Sequence, residues 1–362
     1  MTSPPGGPGR RYRLLALDLD GTVLDPRGLI TPRVRQAVAR ARAAGIRVVL
    51  ATGRVLPSAW VYARQLGLEG PLVVSDGAVL AALGDPGDGG TAAVDAGVAP
   101  RRAPGPVAGR AAGTTAGVAG GTIPGSTAGS TSGTASAEAG AAAAGSGLPR
   151  RGPWTVLDVQ PFPRDLAEAV TAELVAAGCP VVVQFPQFLA SSRRPPVGTL
   201  IRSLAVPYLR HYWVLRRYVV VHPGAELARF VARAPEPPVK ISALGQGAVL
   251  RPLEERILQR YGRALRLTHS GPGSFDLLPP GTHKAAGLQR LAARLGIGRE
   301  QVVAVGDNDN DCEMLRWAGL GVAMGNADPA VRECAGRVTA SNAEDGVARL
   351  IEEVLLGGGP GA

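Results

Sequence analysis

The 362-residue chain is long enough for one large domain or two ordinary ones, and no uninterrupted apolar run approaches the ~18 residues of a membrane span. Its 39 Lys and Arg outnumber 29 Asp and Glu, a balance of +10 that suits nucleic acid, anionic membranes or phosphorylated small molecules, while arginines dispersed along the chain equally make a solvated basic surface. Three cysteines, Cys179, Cys312 and Cys334, without a CxxC pair argue against a disulfide framework; with an N-terminus lacking a signal peptide's apolar segment, they point to a cytoplasmic location.

The first predicted element is Leu14-Leu15-Ala16-Leu17 followed by Asp18-Leu19-Asp20-Gly21-Thr22. An apolar run that ends in two carboxylates reads as a buried parallel strand delivering acids to its carboxyl end, where open α/β sheets bind ligands. Thr31-Pro32 then starts a helix that Gly45 closes. A strand at Val48 to Ala51 ends in Thr52-Gly53-Arg54, a helix covers about Pro57 to Leu66, and a strand at Leu72 to Val74 ends in Ser75-Asp76-Gly77-Ala78. Strands alternating with helices predict a parallel sheet with helices on both faces.

From Ala81 to Gly152 the composition changes to Gly, Ala, Ser, Thr and Pro with no aromatic residue. Such a stretch buries too little apolar surface to offset its chain entropy, which predicts a disordered insertion. Beyond it, strands are predicted at Trp154 to Val159, Val181 to Phe185, Val219 to Val221, Val239 to Ile241, Ala264 to Thr268 and Phe275 to Leu278. Helices are predicted around Leu166 to Leu174 and Leu253 to Tyr261. The first pattern then resumes with a helix from Lys284, a strand Val302 to Val305, an acidic loop Gly306 to Asp311, a helix through Met314, a strand Val322 to Met324 and a terminal helix near Val347 to Leu356. A parallel α/β core is therefore interrupted by a second α+β region.

Four strand ends carry the chemistry. Asp18 and Asp20 share one face of a strand, so one can attack phosphorus while the other protonates a leaving oxygen. Thr52 and the Gly53 N–H can both donate to a phosphate oxygen. Lys284, in the first turn of a helix, opposes the helix dipole unless an anion sits beside it. The dense acids of Asp307-Asn308-Asp309-Asn310-Asp311 suggest a cation site; an EF-hand fails there, because Cys312 stands where its Gly belongs and Ala318 where its bidentate Glu belongs.

Together these motifs resemble the haloacid dehalogenase superfamily of phosphatases, and within it the Cof-like branch, over about Arg13 to Leu356 apart from the insertion. The resemblance implies an α/β, Rossmann-like core in two parts, 11–78 and 281–358, with an α+β cap domain at 79–280 that contains the 81–152 insertion. It implies Asp18 as nucleophile and Asp20 as acid/base. Mg²⁺ is expected on the carboxylates of Asp18 and Asp307 and the carbonyl of Asp20. Thr52, Gly53, Lys284 and Asn310 are expected to grip the phosphoryl group, with Asp311 orienting Lys284 or the metal's surroundings. The implied activity is Mg²⁺-dependent hydrolysis of a small phosphorylated metabolite (a sugar phosphate, phosphorylated cofactor or nucleotide) through an aspartyl-phosphate. A sugar phosphomutase or dedicated sugar-phosphate phosphatase is the alternative within this chemistry. Where the family usually carries Asn-Gly, this chain has Asp76-Gly77.

A reading of another class rests on arginines interleaved with aromatics between Arg193 and Tyr218, a pattern that could bind nucleic acid without catalysis. A pure binding module has no need of Asp18, Asp20, Lys284 and Asp307 together, so a nucleic-acid or membrane partner is not expected.

Overall fold

Every residue of strand β1 (Leu14–Leu17) is apolar and fully buried, which requires cover on both faces of its sheet. The computed structural model describes residues 11–84, 152–193, 215–269 and 273–357. The strands after β1 are, in chain order, Arg47–Leu50 (β2), Leu72–Val74 (β3), Val79–Leu83 (β4), Trp154–Val159 (β5), Val181–Gln184 (β6), Leu189–Ser191 (β7), Val219–Val221 (β8), Lys240–Leu244 (β9), Arg266–Thr268 (β10), Ser274–Leu278 (β11), Val302–Gly306 (β12), Leu320–Ala323 (β13) and Arg337–Val338 (β14).

Five strands form a parallel sheet in the order β14-β13-β12-β1-β2. Alternation along β1 sends Leu15 and Leu17 into one apolar layer with Val34 and Val38 of the helix Pro32–Ala43, and Leu14 and Ala16 into the other with Leu288 and Leu291 of the helix Lys284–Arg294. This is the expected α/β arrangement. The first helix has the predicted caps: Thr31 accepts from Val34 N, Pro32 occupies the first turn, and Gly45 follows with φ +82°. The terminal helix begins as predicted but runs from Gly346–Leu350 into a wider π-helical stretch, Ile351–Leu356.

Strand β3 touches the parallel sheet through one bridge, Ala51 to Val73, and then pairs antiparallel with β4, which pairs antiparallel with β5. This corrects two expectations. The hairpin-like pair β4 and β5 extends β3 and is not part of the second sheet, and Ala81–Leu83, assigned to the insertion by composition, are buried strand. Gly84 N donates to Pro153 O at 3.1 Å where the chain leaves and re-enters this pair. The rest of the predicted insertion lies outside the described residues, as does most of the arginine-aromatic stretch.

The second sheet has the order β10-β11-β9-β6-β7-β8 and is antiparallel except for β7 with β8. Its two faces differ sharply. Val181, Val183, Ile241, Ala243, Phe275 and Leu277 are fully buried on one of them, and the helix Arg164–Ala176 packs on β6 and β9. At the alternate positions stand Gln184, Lys240, Ser242 and Asp276, with Gln184 in register with Lys240 and Ser242 with Asp276. The helix Glu226–Arg233, not predicted from sequence, packs on the helix Arg164–Ala176.

The cysteine reading is also corrected. Cys312 and Cys334, with Cα atoms 5.3 Å apart, form a disulfide, and Cys179 is free and buried. The pairing was hidden in the sequence because 22 positions separate the two residues, with the helix Cys312–Trp317, β13 and the helix Pro329–Arg332 in the span between them. Cysteine usage therefore carries no argument for a reducing compartment. Among the described residues no helix is long and apolar enough to cross a membrane.

Candidate active site

The parallel ladder continues one residue past β1: Asp18 N donates to Val305 O at 3.0 Å, which holds Asp18 at the carboxyl edge of the sheet, 4% exposed. Lys284 arrives from the other side. His283 caps its helix by accepting from Ala286 N at 3.2 Å through Nδ1, so Lys284 is the first helical residue and points at that edge. The helix seats deeply because Gly287 lies against the β3 turn; a Cβ there would stand 2.6 Å from both Gly77 Cα and Val73 Cγ1. Lys284, 2% exposed, donates to Asp18 Oδ1 at 2.7 Å and to Asp311 Oδ1 at 2.8 Å. Burial opposes its charge, but Asp18 and Asp311 outweigh burial and hold the ammonium more firmly protonated than a free lysine.

The acidic loop after β12 folds around Asp311, which is fully buried. Its Oδ2 accepts from Asp307 N at 3.0 Å and Asn308 N at 3.1 Å, so both oxygens are engaged by protein donors. Thr22 Oγ1 donates to Asp307 Oδ1 at 2.7 Å. Gly21, at φ +80°, lets Asp307 lie against the β1 loop, since a Cβ there would fall 2.0 Å from Asp307 Oδ2. Carboxylate oxygens of Asp18, Asp307 and Asp311 lie within 4.8 Å of one another. Crowded carboxylates resist ionisation together. Burial pushes Asp18 well above the usual carboxylate range, with Asp311, Asp307 and Asp20 adding to the effect and Lys284 opposing it. Burial likewise pushes Asp307 up to about 6. A set of hard oxygens in excess of local positive charge fits a hard divalent cation such as Mg²⁺.

The Thr52-Gly53-Arg54 turn after β2 faces this cluster. Arg54 grips Asp20 with two bonds, Nε to Oδ2 at 2.7 Å and Nη2 to Oδ1 at 2.5 Å, and its Nη1 donates to Ser58 Oγ at 3.2 Å. The β3 turn brings in Asp76, 1% exposed, in the left-handed region at φ 53°. Asn310 Nδ2 donates to Asp76 Oδ1 at 3.0 Å, and Lys240 of β9 donates to Asp76 Oδ2 at 2.6 Å and pairs with Asp276 Oδ2 at 2.8 Å. Ser242 Oγ donates to Asp276 Oδ1 at 2.5 Å. Burial works against an ionised Asp76, but Lys240 and Lys284 outweigh burial and hold its carboxyl below the usual range.

Asp18, Asp20, Thr52, Gly53, Lys284 and Asn310 line one cavity of about 280 Å³. Of the remaining sequence-predicted residues, Asp307 and Asp311 meet this set through the acidic cluster and Lys284. Sequence reading missed Arg54, Gln184, Lys240, Ser242 and Asp276, which line the same cavity. A signal existed for the last four: each is a polar residue at an alternate position of an otherwise apolar strand, the pattern of a sheet with one polar face turned to a site.

The family profile described as haloacid dehalogenase-like hydrolase matches residues 15–86 and 218–351. A 5-amino-6-(5-phospho-D-ribitylamino)uracil phosphatase of Bacillus subtilis, YitU, is 51% identical over 79 residues, covering 22% of this chain and 29% of that protein. YbjI of Escherichia coli, a phosphatase of the same description, is 42% identical over 103 residues, 28% of this chain and 38% of its own length. The chain thus spans well under half the length of either relative in these matches. A haloacid dehalogenase-like hydrolase from Bacteroides thetaiotaomicron superimposes with a TM-score of 0.64 at 20% identity, covering 95% of this chain and 99% of that one, a likeness of fold.

Proposed function

The chain belongs to the haloacid dehalogenase-like hydrolases, and from that premise we propose that it is a Mg²⁺-dependent phosphomonoester hydrolase of a small phosphorylated metabolite, with Asp18 as nucleophile and the second sheet as its cap. The observation that carries this reading is Lys284 Nζ held 2.7 Å from Asp18 Oδ1 and 2.8 Å from Asp311 Oδ1, both acids being buried. A cation so held is poised to neutralise a phosphoryl dianion as the anionic Asp18 approaches it.

Each residue then has one task. Thr52 and the Gly53 N–H, with Lys284 and Asn310, hold the phosphoryl oxygens. An Asp18 oxygen forms a bond to phosphorus as the ester P–O bond breaks, and the departing oxygen takes a proton from Asp20. Asp20 then accepts a proton from water, whose oxygen displaces Asp18 and releases inorganic phosphate. Arg54 holds Asp20 at the resting site, so an entering leaving group competes with Arg54 for the same carboxylate. Asp311 keeps Lys284 and the Asp307 loop in place. Mg²⁺ on Asp18, Asp307 and the Asp20 carbonyl, when bound, withdraws charge from the phosphoryl oxygens.

Two of the relatives act on a phosphorylated ribitylamino-uracil. That compound belongs in a test panel beside sugar phosphates, phosphorylated cofactors and nucleotides. Phosphate release from the panel, with and without Mg²⁺, is expected from the wild type and is expected to fall at least about 10³-fold in Asp18→Asn. Near-normal turnover by a folded Asp18→Asn protein would remove Asp18 as nucleophile.

A further inference from the structure

The proposed mechanism leaves a buried ionic trio unused: Asp76, which stands where the resembling family usually has a neutral amide, Lys240, the first residue of β9 and 2% exposed, and Asp276 of β11. Asp76 backs the proposed phosphoryl pocket. Its N donates to Thr52 O at 3.1 Å, its Oδ1 accepts from Asn310 at 3.0 Å, and a Cβ on Gly53 would stand 2.9 Å from that same oxygen. A carboxylate this close to Thr52, Gly53 and Asn310 repels any phosphoryl dianion they hold. Lys284 supplies part of the countercharge from a distance, and the direct contact comes from the other sheet, where Lys240 Nζ lies 2.6 Å from Asp76 Oδ2 and is shared with Asp276 at 2.8 Å.

We infer that Lys240 is a positioning residue for phosphoryl binding that acts through Asp76: by neutralising this carboxylate, the second sheet switches the pocket on the first from repelling to accepting a dianion. The inference rests on the phosphoryl pocket proposed above. It assigns to the cap an electrostatic share in phosphate affinity that is independent of the leaving group. Asp276 tempers the effect, because one ammonium serves two carboxylates. Ser242 and the strand register hold Asp276 in place on β11.

The test is calorimetric titration of the full chain with inorganic phosphate at fixed Mg²⁺, in the wild type, Lys240→Met, Asp76→Asn and the double variant. Lys240→Met is expected to weaken phosphate binding roughly tenfold when Asp76 is present, and less than about threefold in the Asp76→Asn background. Equal losses in both backgrounds overturn the inference, since a lysine that touched phosphate or merely supported the fold would not be rescued by removing a carboxylate. Should Lys240→Met fail to fold, Asp276→Asn decides: releasing Lys240 to Asp76 is expected to tighten phosphate binding about two- to threefold, whereas a purely structural triad predicts loosening. Ester hydrolysis by the wild type is followed in parallel. The expected binding pattern without hydrolysis of any ester would sink the hydrolase reading and leave this inference standing; a wild type that binds no phosphate overturns both.

Discussion

Two buried lysines, each set between two carboxylates, stand in regions built by different rules. Lys284 lies between Asp18 and Asp311 where a helix start meets the carboxyl ends of parallel strands; Lys240 lies between Asp76 and Asp276, as the first residue of an antiparallel strand. At the first location chain polarity does the sorting. Every parallel strand ends at the same edge, so residues remote in sequence converge whenever each follows an apolar run. At the second location, parity along the strand decides, and a shift of one residue would turn Lys240 into the apolar layer occupied by Ile241. By our proposals the same chemical trio does two jobs: one sits on the reacting atoms, and the other sets the charge beside them.

Three measurements press on this contrast. Lys284→Met is expected to lower kcat by about 10²- to 10³-fold, while Lys240→Met changes kcat less than about tenfold and acts chiefly on affinity. Equal kcat losses would erase the distinction. The next effect is on stability. Lys240→Met removes the ammonium that contacts two buried carboxylates and is expected to cost about 3–5 kcal/mol in urea unfolding, whereas Asp276→Asn, which leaves one acid for one base at that contact, is expected to cost under about 1 kcal/mol.

The smallest effect is in pH dependence. Asp307 is pushed up to about 6 by burial. A carboxylate raised above its unfolded value of about 4 contributes stability below that pH and loses it as pH rises through its folded value. In chelator, Tm should therefore decline between about pH 4 and 6, and the rise in Tm caused by Mg²⁺ should grow across the same window as the metal replaces the proton. A Mg²⁺ effect that is flat with pH would place the ion away from Asp307.

The two regions also differ in how far the sequence exposes them. The parallel core was legible because Leu14 to Leu17 and Val302 to Val305 are uninterrupted apolar runs with Gly or acid at their ends. Of the residues brought to one cavity, Asp18, Asp20, Thr52, Gly53 and Asn310 sit at or just beyond such ends, and Lys284 opens a helix. Asp76 was legible as a departure, but its partner was not. Nothing in Lys240-Ile241-Ser242 says which sheet covers the site, and 164 positions separate Asp76 from Lys240. Arg54 was passed over although it adjoins Thr52 and Gly53, because its role depends on Asp20 leaning toward it. Strand β7 is too short for a period to show, whereas the helix Glu226–Arg233 carries Leu227, Ala228 and Val231 on one face and was overlooked only because it spans about two turns.

The hydrogen bond between Gly84 and Pro153 has a practical consequence. β4 runs antiparallel to β3, whose carboxyl end carries Asp76, so this junction lies at the end of the pair away from the site. The chain departs and returns there at neighbouring points, with Leu83 and Trp154 already in register. For an engineer this is a socket: a fluorescent reporter or affinity module whose own ends lie close together could be spliced between these residues, far from the chemistry and without asking either sheet to change its pairing.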